Sequence, residues 1–338
     1  MSGSSVTLDP VPFAAVPGWA DDDVSAALPA YLNSAAIRGL PVPDPGQMAR
    51  AFFETHFEAC RVVHDAPAGL VTGYFEPELA GSRTRHGPYH VPVYRRPADL
   101  VNVVDEAERA LASAASGYSH LRSTPEGLVP YFTRREIESG QLARQGLEIC
   151  WLADAVEAFI LHVQGSGRVR LDDGSVVRLA YAGKNGHPYT SVGRILIDRG
   201  ILPADGLTLD TMAAWLREDG DRGRAMMQNN ASFVFFRELK DGEPGPCGVD
   251  GIPLTAGRSL AVDPSYHRIG RPVFVAAPNL IVDGREFRRL MVAQDVGSAI
   301  RGPERGDIFF GGGDKARALA GSTKHAANFF VLRRRGAS

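Results

Sequence analysis

The sequence predicts a mainly β protein that also contains helices, and three observations support this fold class. The 338 residues are 44% hydrophobic and 22% charged, which is enough apolar material for a sizeable core. The 37 glycines and 23 prolines are spread along the chain and indicate many turns between short strands. The region after residue 251 is a series of short β-prone segments at the spacing of a small barrel.

Two helices are expected in the N-terminal part. Asp23 can cap the first helix, which Pro29 shortens or bends. Asp44 and Gln47, with a proline after Asp44, form the start signal of the second. The apolar stripe of this second helix is predicted to consist of Met48, Phe52, Phe53, Phe57 and Cys60.

The middle of the chain alternates between strands and helices. LVTGYF and YHVPVYRR predict strands, and a helix is expected over 103–115. Thr133 and Glu136 form a capping box, and Asp154 caps a segment that is apolar on nearly every side and therefore buried. Three further segments predict, in order, a hairpin about Asp173-Gly174, the amphipathic helix TLDTMAAWLRED and the strand ASFVFFREL.

A turn-rich stretch, KDGEPGPCGVDG at 240–251, is the clearest candidate for a domain boundary. After it, strands are predicted for LTAGRSLAV, PVFVAA, LIVDG, FRRLMVAQDVG, RGDIFFGGG and ANFFVLRRR.

Charge and cysteine usage exclude several function classes. The formal net charge is −2, so no general electrostatic field favours nucleic acid or an anionic membrane. Cys60, Cys150 and Cys247 have no metal-ligand spacing, which excludes a structural zinc site and a disulfide scaffold but leaves one disulfide open. No apolar run has the length of a membrane-spanning helix, and the N-terminus lacks the features of an export signal.

Several catalytic signatures fail on inspection. GGGDKA lacks the spacing of a phosphate-binding loop, and GSGRVR follows a predicted helix where a dinucleotide motif follows a strand. His86 and His90 have no acidic residue between them that would suit a zinc peptidase, and no GxSxG elbow is present.

Carboxylates near the C-terminus are the strongest candidates for chemistry. Asp295, Asp307 and Asp314 follow or precede strands beside glycine-rich turns, where side chains can face a cleft. Aspartate is also common in turns for purely structural reasons. Asp307 differs from the others because it directly precedes the apolar run IFF, whose neighbourhood would raise its pKa.

A second polar cluster suits the hydroxyl and acetamido groups of sugars, although loop chemistry alone would explain half of it. Its members are Gln164, Ser166, Lys184, Asn185 and Tyr189. Tyr74, Phe75 and Tyr94 are either aromatic faces for sugar rings or strand residues of the core.

Seven ordered blocks of the chain resemble the membrane-bound lytic murein transglycosylase A family. They are VTGYFEP, YHVPVYRRP, HVQGSGRVRL, YAGKNGHPYTSVGRILIDRG, NNASFVFFRE, PLTAGRSLAVD and RRLMVAQDVGSAIRGPERGDIFFGGG. The resemblance covers roughly residues 70–335 and rests on long, specific motifs.

The resemblance implies two domains with a glycan groove between them. A double-psi β-barrel with the N-terminal helices would comprise 1–98 and 240–338, and an inserted substrate-binding domain that contains a β-barrel would comprise 99–239. Family members cleave the β-1,4 bond between N-acetylmuramic acid and N-acetylglucosamine without water and leave a 1,6-anhydro end. The catalytic aspartate of the family falls on Asp307, and two further groove aspartates fall on Asp295 and Asp263.

The expected mechanism uses Asp307 first as acid and then as base, with no metal or organic cofactor. Asp295 and Asp263 are assigned to substrate hydrogen bonding or to tuning Asp307; Tyr74, Gln164, Ser166, Lys184 and Asn185 are assigned to substrate contacts. Two alternatives stay open: a non-catalytic glycan-binding module, and a hydrolase that uses Asp295 and Asp307 as a carboxylate pair.

The expected partner is the glycan strand of peptidoglycan, and nucleic acid is not expected. The protein is expected to be a monomer and to act in the periplasm. A lipoprotein signal is absent from the chain as given, so outer-membrane association and a soluble periplasmic form both stay open, as do partners in wall synthesis or division.

Overall fold

The computed structural model of the chain describes residues 6–65, 67–103 and 118–336. Two compact units are present, Met1–Phe75 with Pro244–Ser338, and Glu76–Glu243. The sequence predicted the domain boundaries between residues 98 and 99 and between residues 239 and 240. Strands β4 (Glu78–Ser82) and β5 (Val91–Tyr94) both pair with β9 (Glu148–Leu152), and their contacts therefore group residues 76–98 with the second unit.

The first unit is built on a mixed sheet with nine strands among the described residues, in the order β1-β2-β18-β14-β15-β13-β16-β3-β17. The strands are β1 Thr7–Val11, β2 Phe57–Val63, β3 Leu70–Glu76, β13 Ser259–Val262, β14 Pro272–Val282, β15 Arg285–Val296, β16 Arg305–Gly312, β17 Lys324–Ala326 and β18 Asn328–Arg334. Strand β13 pairs in parallel with β15 and antiparallel with β16. One core of this unit contains Val275, Phe287, Ile308 and Phe329, each fully buried.

Two helices of the first unit bury a second, aromatic-rich core. Helix α1 (Leu28–Arg38) and helix α2 (Ala49–His56) contribute Tyr31, Phe52 and Phe53, which are fully buried with residues of β14 and β15. The Asp23 carboxylate accepts a hydrogen bond from the Ser25 N–H and caps the short turn that leads into α1, as predicted. Pro29 lies in the first turn of α1, where a proline removes no helical hydrogen bond, so it does not bend the helix.

The prediction for the second helix was wrong at both ends. Helix α2 begins at Ala49 rather than after Asp44, and it ends at His56. Phe57 and Cys60 were expected on its apolar stripe but lie in β2, which pairs with β1 and β18. At the C-terminal end the physical reason is that sheet pairing with β18, some 270 residues away, overrides the local helical period.

The second unit contains a six-stranded sheet, β12-β11-β10-β4-β9-β5, and a three-stranded sheet, β6-β7-β8, within its described residues. The remaining strands are β6 Leu100–Asn102, β7 His120–Thr124, β8 Gly127–Pro130, β10 Ser166–Leu171, β11 Val176–Lys184 and β12 Val234–Glu238. The helices are α3 Arg134–Glu136, α4 Ala155–Gln164, α5 Val192–Asp198, α6 Leu209–Glu218 and α7 Gly220–Met227.

Local signals in this unit are confirmed. Thr133 and Glu136 form the predicted capping box, and the Asp154 carboxylate caps α4 through the N–H groups of Val156 and Glu157. Strands β10 and β11 form the predicted antiparallel hairpin, with Gly174 at a positive φ of 88° in its turn. The helix predicted over 103–115 lies, beyond Val103, outside the described residues.

The C-terminal strands are confirmed, with two differences. PVFVAA and LIVDG belong largely to a single long strand, β14, which has an irregularity between Ala277 and Ile281. Helix α8 (Asp314–Ser322) follows β16 and was not predicted, so Asp314 starts a helix rather than ending a strand. Among the described residues, no helix combines the length and apolar character needed to cross a membrane, and the three cysteines are free thiols.

Candidate active site

Asp307 lies on the strand β16, in a position that its sequence context explains. Side chains alternate between the two faces of a strand, so Ile308 points into the core while Asp307 shares the other face with Arg305 and Phe309. Ile308 is fully buried in the core of the first unit, and Asp307 keeps part of its surface exposed. The apolar residues that follow Asp307 in the sequence therefore pack in the core and fix the position of Asp307 in the sheet.

The neighbouring strand β3 supplies two side chains to the same face. Thr72 and Tyr74 are two residues apart and so point the same way. The Thr72 hydroxyl donates a hydrogen bond to Asp307 Oδ1 at 2.5 Å, and Arg305 Nη2 donates to Thr72 Oγ1 at 2.9 Å. Arg305, Thr72 and Asp307 therefore form a chain of hydrogen bonds that ends on one oxygen of the Asp307 carboxyl group.

Asp295 lies on β15, which is on the other side of β13 from Asp307 and β16. Ala261 of β13 is the register partner of Asp307 on β16 and of Asp295 on β15. Residues paired across a sheet share a face, so both aspartates flank the small Ala261 side chain. The Tyr74 hydroxyl donates to Asp295 Oδ2 at 3.0 Å, and Tyr74 packs with Ala261 and Phe309.

The electrostatics of this cluster favour protonated carboxyl groups. Burial raises the pKa of Asp307, against the hydrogen bond from Thr72 and the positive charge of Arg305. Burial, assisted by the charge of Asp307, raises the pKa of Asp295 to about 6, against the hydrogen bonds from the Val296 N–H and the Tyr74 hydroxyl. Burial and the two nearby carboxylates raise the pKa of Tyr74 well above its usual value, so this phenol stays a hydrogen-bond donor.

Asp263 does not join this cluster. Its carboxylate accepts hydrogen bonds from the Gly302 N–H at 2.9 Å and the Ser265 N–H at 3.0 Å, and Arg301 lies 3.6 Å from it. Burial acts to raise the pKa of Asp263, but the backbone N–H groups and Arg301 outweigh it and lower the pKa. Asp263 therefore stays charged and holds the loop that connects Asp295 to Asp307.

The other predicted site residues lie in the second unit. Gln164 is the last residue of α4, Ser166 the first of β10 and Lys184 the last of β11. Gln164 and Lys184 are partly exposed, whereas only 9% of Ser166 is exposed. These three side chains stay candidates for sugar contacts.

Asn185 is placed differently from its expected role. It is fully buried, and its amide nitrogen donates to the carbonyl oxygens of Phe132 and Ala231, each at 2.8 Å. Its side-chain oxygen accepts from the Phe233 N–H at 2.8 Å. Because these three backbone groups occupy the Asn185 amide, the residue joins segments of the second unit and presents no free polar group.

Two residues of the site were missed by sequence reasoning. Thr72 lies within the VTGYF block, and Arg305 precedes Asp307 by two positions, which places both on the face of the site. The alternation of strand residues could have identified Arg305. No local signal could have identified Thr72, because its contact with Asp307 joins strands 235 residues apart.

Comparisons with known proteins agree on one family. Residues 70–237 match the model of the MltA specific insert domain, and residues 258–333 match the model of the 3D domain. The membrane-bound lytic murein transglycosylase A of Vibrio cholerae is 37% identical over 273 residues, and that of Escherichia coli K12 is 31% identical over 268 residues. Each match covers 78% of this chain but only 65% of the relative, so the chain spans slightly less than two thirds of these curated relatives.

Solved structures extend the similarity to the whole chain. A membrane-bound lytic murein transglycosylase from Agrobacterium tumefaciens is 36% identical, with a TM-score of 0.89 over 97% of this chain and 98% of that chain. Escherichia coli MltA with bound chitohexaose is 26% identical, with a TM-score of 0.68 over 99% of this chain and 93% of that chain.

Proposed function

Because the chain belongs to the membrane-bound lytic murein transglycosylase A family, we propose that it cleaves the glycan strands of peptidoglycan. The bond cut is the β-1,4 bond between N-acetylmuramic acid and N-acetylglucosamine, and the product carries a 1,6-anhydro end. The observation that carries the proposal is the position of Asp307, a partly exposed carboxyl group on β16 with a raised pKa, held through one oxygen by Thr72.

In the proposed first step Asp307 acts as a general acid. The protonated carboxyl group donates its proton to the glycosidic oxygen as the C1–O bond breaks and positive charge develops on the sugar ring. A raised pKa increases the fraction of a carboxyl group that carries its proton at a given pH, and burial raises the pKa of Asp307 in this direction. Thr72 holds Oδ1, and no hydrogen bond from the described residues reaches Oδ2, which is therefore the oxygen available to the substrate.

In the second step the same residue acts as a base. The Asp307 carboxylate removes the proton from the O6 hydroxyl of the muramoyl unit as O6 attacks C1 of its own ring. The proton count balances, and Asp307 returns to its protonated form. Because the nucleophile belongs to the same ring, its effective concentration can reach about 10⁵–10⁸ M, so a single carboxyl group suffices.

Asp295 is proposed to support this reaction rather than to act as a nucleophile. Its Oδ2 accepts from Tyr74 and its Oδ1 accepts from the Val296 N–H at 2.9 Å, so both oxygens already have donors. A hydrolytic mechanism would need a second carboxylate that attacks the sugar or activates water. Each carboxylate oxygen can accept more than one hydrogen bond, so analysis of the products separates the anhydro product from a hydrolytic one.

Substrate contacts complete the proposal. Gln164, Ser166 and Lys184 are proposed to bind sugar groups, whereas Asp263 and Asn185 act through the backbone that they hold. The double-psi β-barrel topology, the glycan groove, the location in the cell envelope and the monomeric state remain predictions.

The decisive experiment is mass spectrometry of the muropeptides released from purified peptidoglycan. The wild-type chain is compared with Asp307→Asn and with Asp44→Asn, which removes an exposed carboxylate of the same unit. Products that end in 1,6-anhydro-muramic acid from wild type and Asp44→Asn, but not from folded Asp307→Asn, are expected. Reducing-end products would favour the hydrolase, and binding to peptidoglycan without release would favour the non-catalytic module.

A further inference from the structure

A cavity of about 750 Å³ lies in the first unit, lined by three segments of the chain. The first segment runs from Gly18 to Ala26, the second from Thr255 to Arg258 and the third from Arg285 to Arg289. Binding sites for small organic ligands typically fall between about 300 and 1,000 Å³. The cavity therefore has the size of a ligand site and is more polar than most, because four arginines and four acidic residues line it.

Two ion pairs account for part of this charge. Arg258 and Asp22 form a bidentate pair, with Nη1–Oδ2 at 2.8 Å and Nη2–Oδ1 at 2.9 Å, and both side chains are buried. The Asp22 carboxylate also accepts from the Leu290 N–H at 2.7 Å. Arg288 donates to Glu286 at 2.7 Å. The charges of these four residues compensate one another; the Arg258–Asp22 pair is buried, whereas the Arg288–Glu286 pair is partly exposed.

Four charged side chains of the lining make no ion pair with any described residue: Arg285, Arg289, Asp21 and Asp23. Arg285 is exposed, and the Asp23 carboxylate already accepts a hydrogen bond from the Ser25 N–H. Arg289 is partly buried, with its guanidinium group 5.0 Å from the centre of the Phe287 ring, and it makes no ion pair with any described residue. Burial and the neighbouring Arg258 lower the pKa of Arg289, so an anion beside it would relieve an unfavourable charge. Asp21 is exposed and makes no side-chain hydrogen bond or ion pair with any described residue.

The cavity is separate from the aspartate cluster. Arg289 precedes Asp295 by six residues on β15, which corresponds to about 20 Å along the strand. The two places are linked through one segment, because the Gly257 N–H donates to the Phe309 carbonyl oxygen at 2.7 Å, and Thr255 and Ala256 beside it line the cavity.

We propose that this cavity is a second binding site, which takes a short zwitterionic peptide. The peptide carboxylate would bind the unpaired Arg289 guanidinium group, and its ammonium group would lie beside Asp21. A zwitterion fits because equal numbers of cations and anions in the lining lack an ion pair: Arg289 is the partly buried cation, and Asp21 is the carboxylate with no described hydrogen bond, whereas a simple anion would also meet the Asp21 charge. The proposal does not depend on the proposed glycan cleavage.

Isothermal titration calorimetry on the full chain tests the proposal with three probes of similar size. The probes are the zwitterion alanylalanine, the anion N-acetyl-alanylalanine and the cation alanylalaninamide. The zwitterion should bind most tightly, and the amide at least about tenfold more weakly, because a charge-assisted hydrogen bond to Arg289 is lost. Equal binding of the acid and the amide, or no binding of the zwitterion, would overturn the proposal.

Two variants and a control assign the binding groups. Arg289→Gln should weaken binding of the zwitterion at least about tenfold and abolish the preference for the acid over the amide. Asp21→Asn changes only an exposed side chain, so the fold is retained. This variant should bind the zwitterion more weakly than wild type and should bind N-acetyl-alanylalanine as wild type does. Arg61→Gln, which removes an exposed arginine of β2 outside the cavity, should bind like wild type. If Arg289→Gln and Asp21→Asn both bind like wild type, the site is not the one proposed.

Discussion

Asp295 and Asp307 are register partners of the same residue, Ala261, on the two sides of the strand β13. Adjacent strands in a sheet lie about 4.8 Å apart, so the two aspartate backbones are about 10 Å apart with only a methyl group between them. The Tyr74 hydroxyl donates a hydrogen bond to Asp295, and the Thr72 hydroxyl donates one to Asp307. Tyr74 and Thr72 are neighbours on one face of β3. The two carboxyl groups are therefore held separately, each by its own hydroxyl donor.

Replacement of Thr72 by valine should alter the pH dependence of cleavage. The Thr72 hydrogen bond lowers the pKa of Asp307, so its loss raises that pKa further. Because Asp307 must be protonated to act as acid, the alkaline limb of the profile of kcat/KM against pH should move to higher pH. The maximal rate should fall about tenfold, since Oδ1 is no longer oriented. Thr72→Ser keeps the hydroxyl and should keep the wild-type profile; an unshifted profile in folded Thr72→Val would contradict this role.

The pKa of Asp295 should respond in opposite directions to two substitutions. Tyr74→Phe removes a hydrogen bond that lowers this pKa, so the value should rise above about 6. Asp307→Asn removes a negative charge that raises it, so the value should fall. Titration of the ¹³C-labelled carboxyl groups by NMR measures both shifts. A shift of the Asp295 pKa in the same direction in both variants would show that the two carboxyl groups are not coupled as described.

Asp295→Asn should stabilise the protein at neutral pH. The folded-state pKa of Asp295 is raised from 3.8 to about 6, so the folded state binds its proton more tightly than the unfolded state. The resulting stability is fully present below pH 3.8 and is lost as pH rises to about 6, which leaves a penalty on the order of 1–3 kcal/mol at pH 7.5. Asparagine carries no charge and should remove that penalty. Chemical denaturation should show the gain at pH 7.5 and little gain at pH 4; the same difference at both pH values would refute the explanation.

Arg134 should be indispensable to the second unit. It is only 2% exposed, and it donates to His162 Nδ1 at 3.0 Å and to the carbonyl oxygens of Asn230 and Ser232 at 3.0 and 2.7 Å. Lysine lacks the planar fork that reaches these three acceptors, so Arg134→Lys should cost about 3–5 kcal/mol of unfolding free energy. Arg135→Lys changes an exposed neighbour and is the matched control, expected within about 0.5 kcal/mol of wild type. Similar stability of the two variants would contradict the assignment.

Local signals were sufficient wherever one short segment determines its own structure. The Thr133–Glu136 capping box and the Asp154 cap were predicted because their partners lie within three residues along the chain. The β10–β11 hairpin was predictable for the same reason, since its turn is closed by residues that are neighbours in sequence. The apolar context of Asp307 also identified it correctly as a strand residue.

Long-range contacts explain two of the errors. Phe57 and Cys60 follow a helix without interruption, and only β1 and β18 make that segment a strand. Asn185 has the composition of a sugar-binding loop, but backbone groups of Phe132, Ala231 and Phe233 occupy its amide.

The sequence alone was enough for the mainly β class, the family and the selection of Asp307 as the candidate acid, because these depend on residue types and on motifs that are continuous along the chain. The partners of Asp307 and the cavity beside Arg289 emerged only from the folded chain. Thr72 lies 235 residues from Asp307, and Asp22 lies 236 residues from Arg258. Sheet register brings such residues within hydrogen-bond distance, and register depends on the packing of both faces of the sheet rather than on any local pattern.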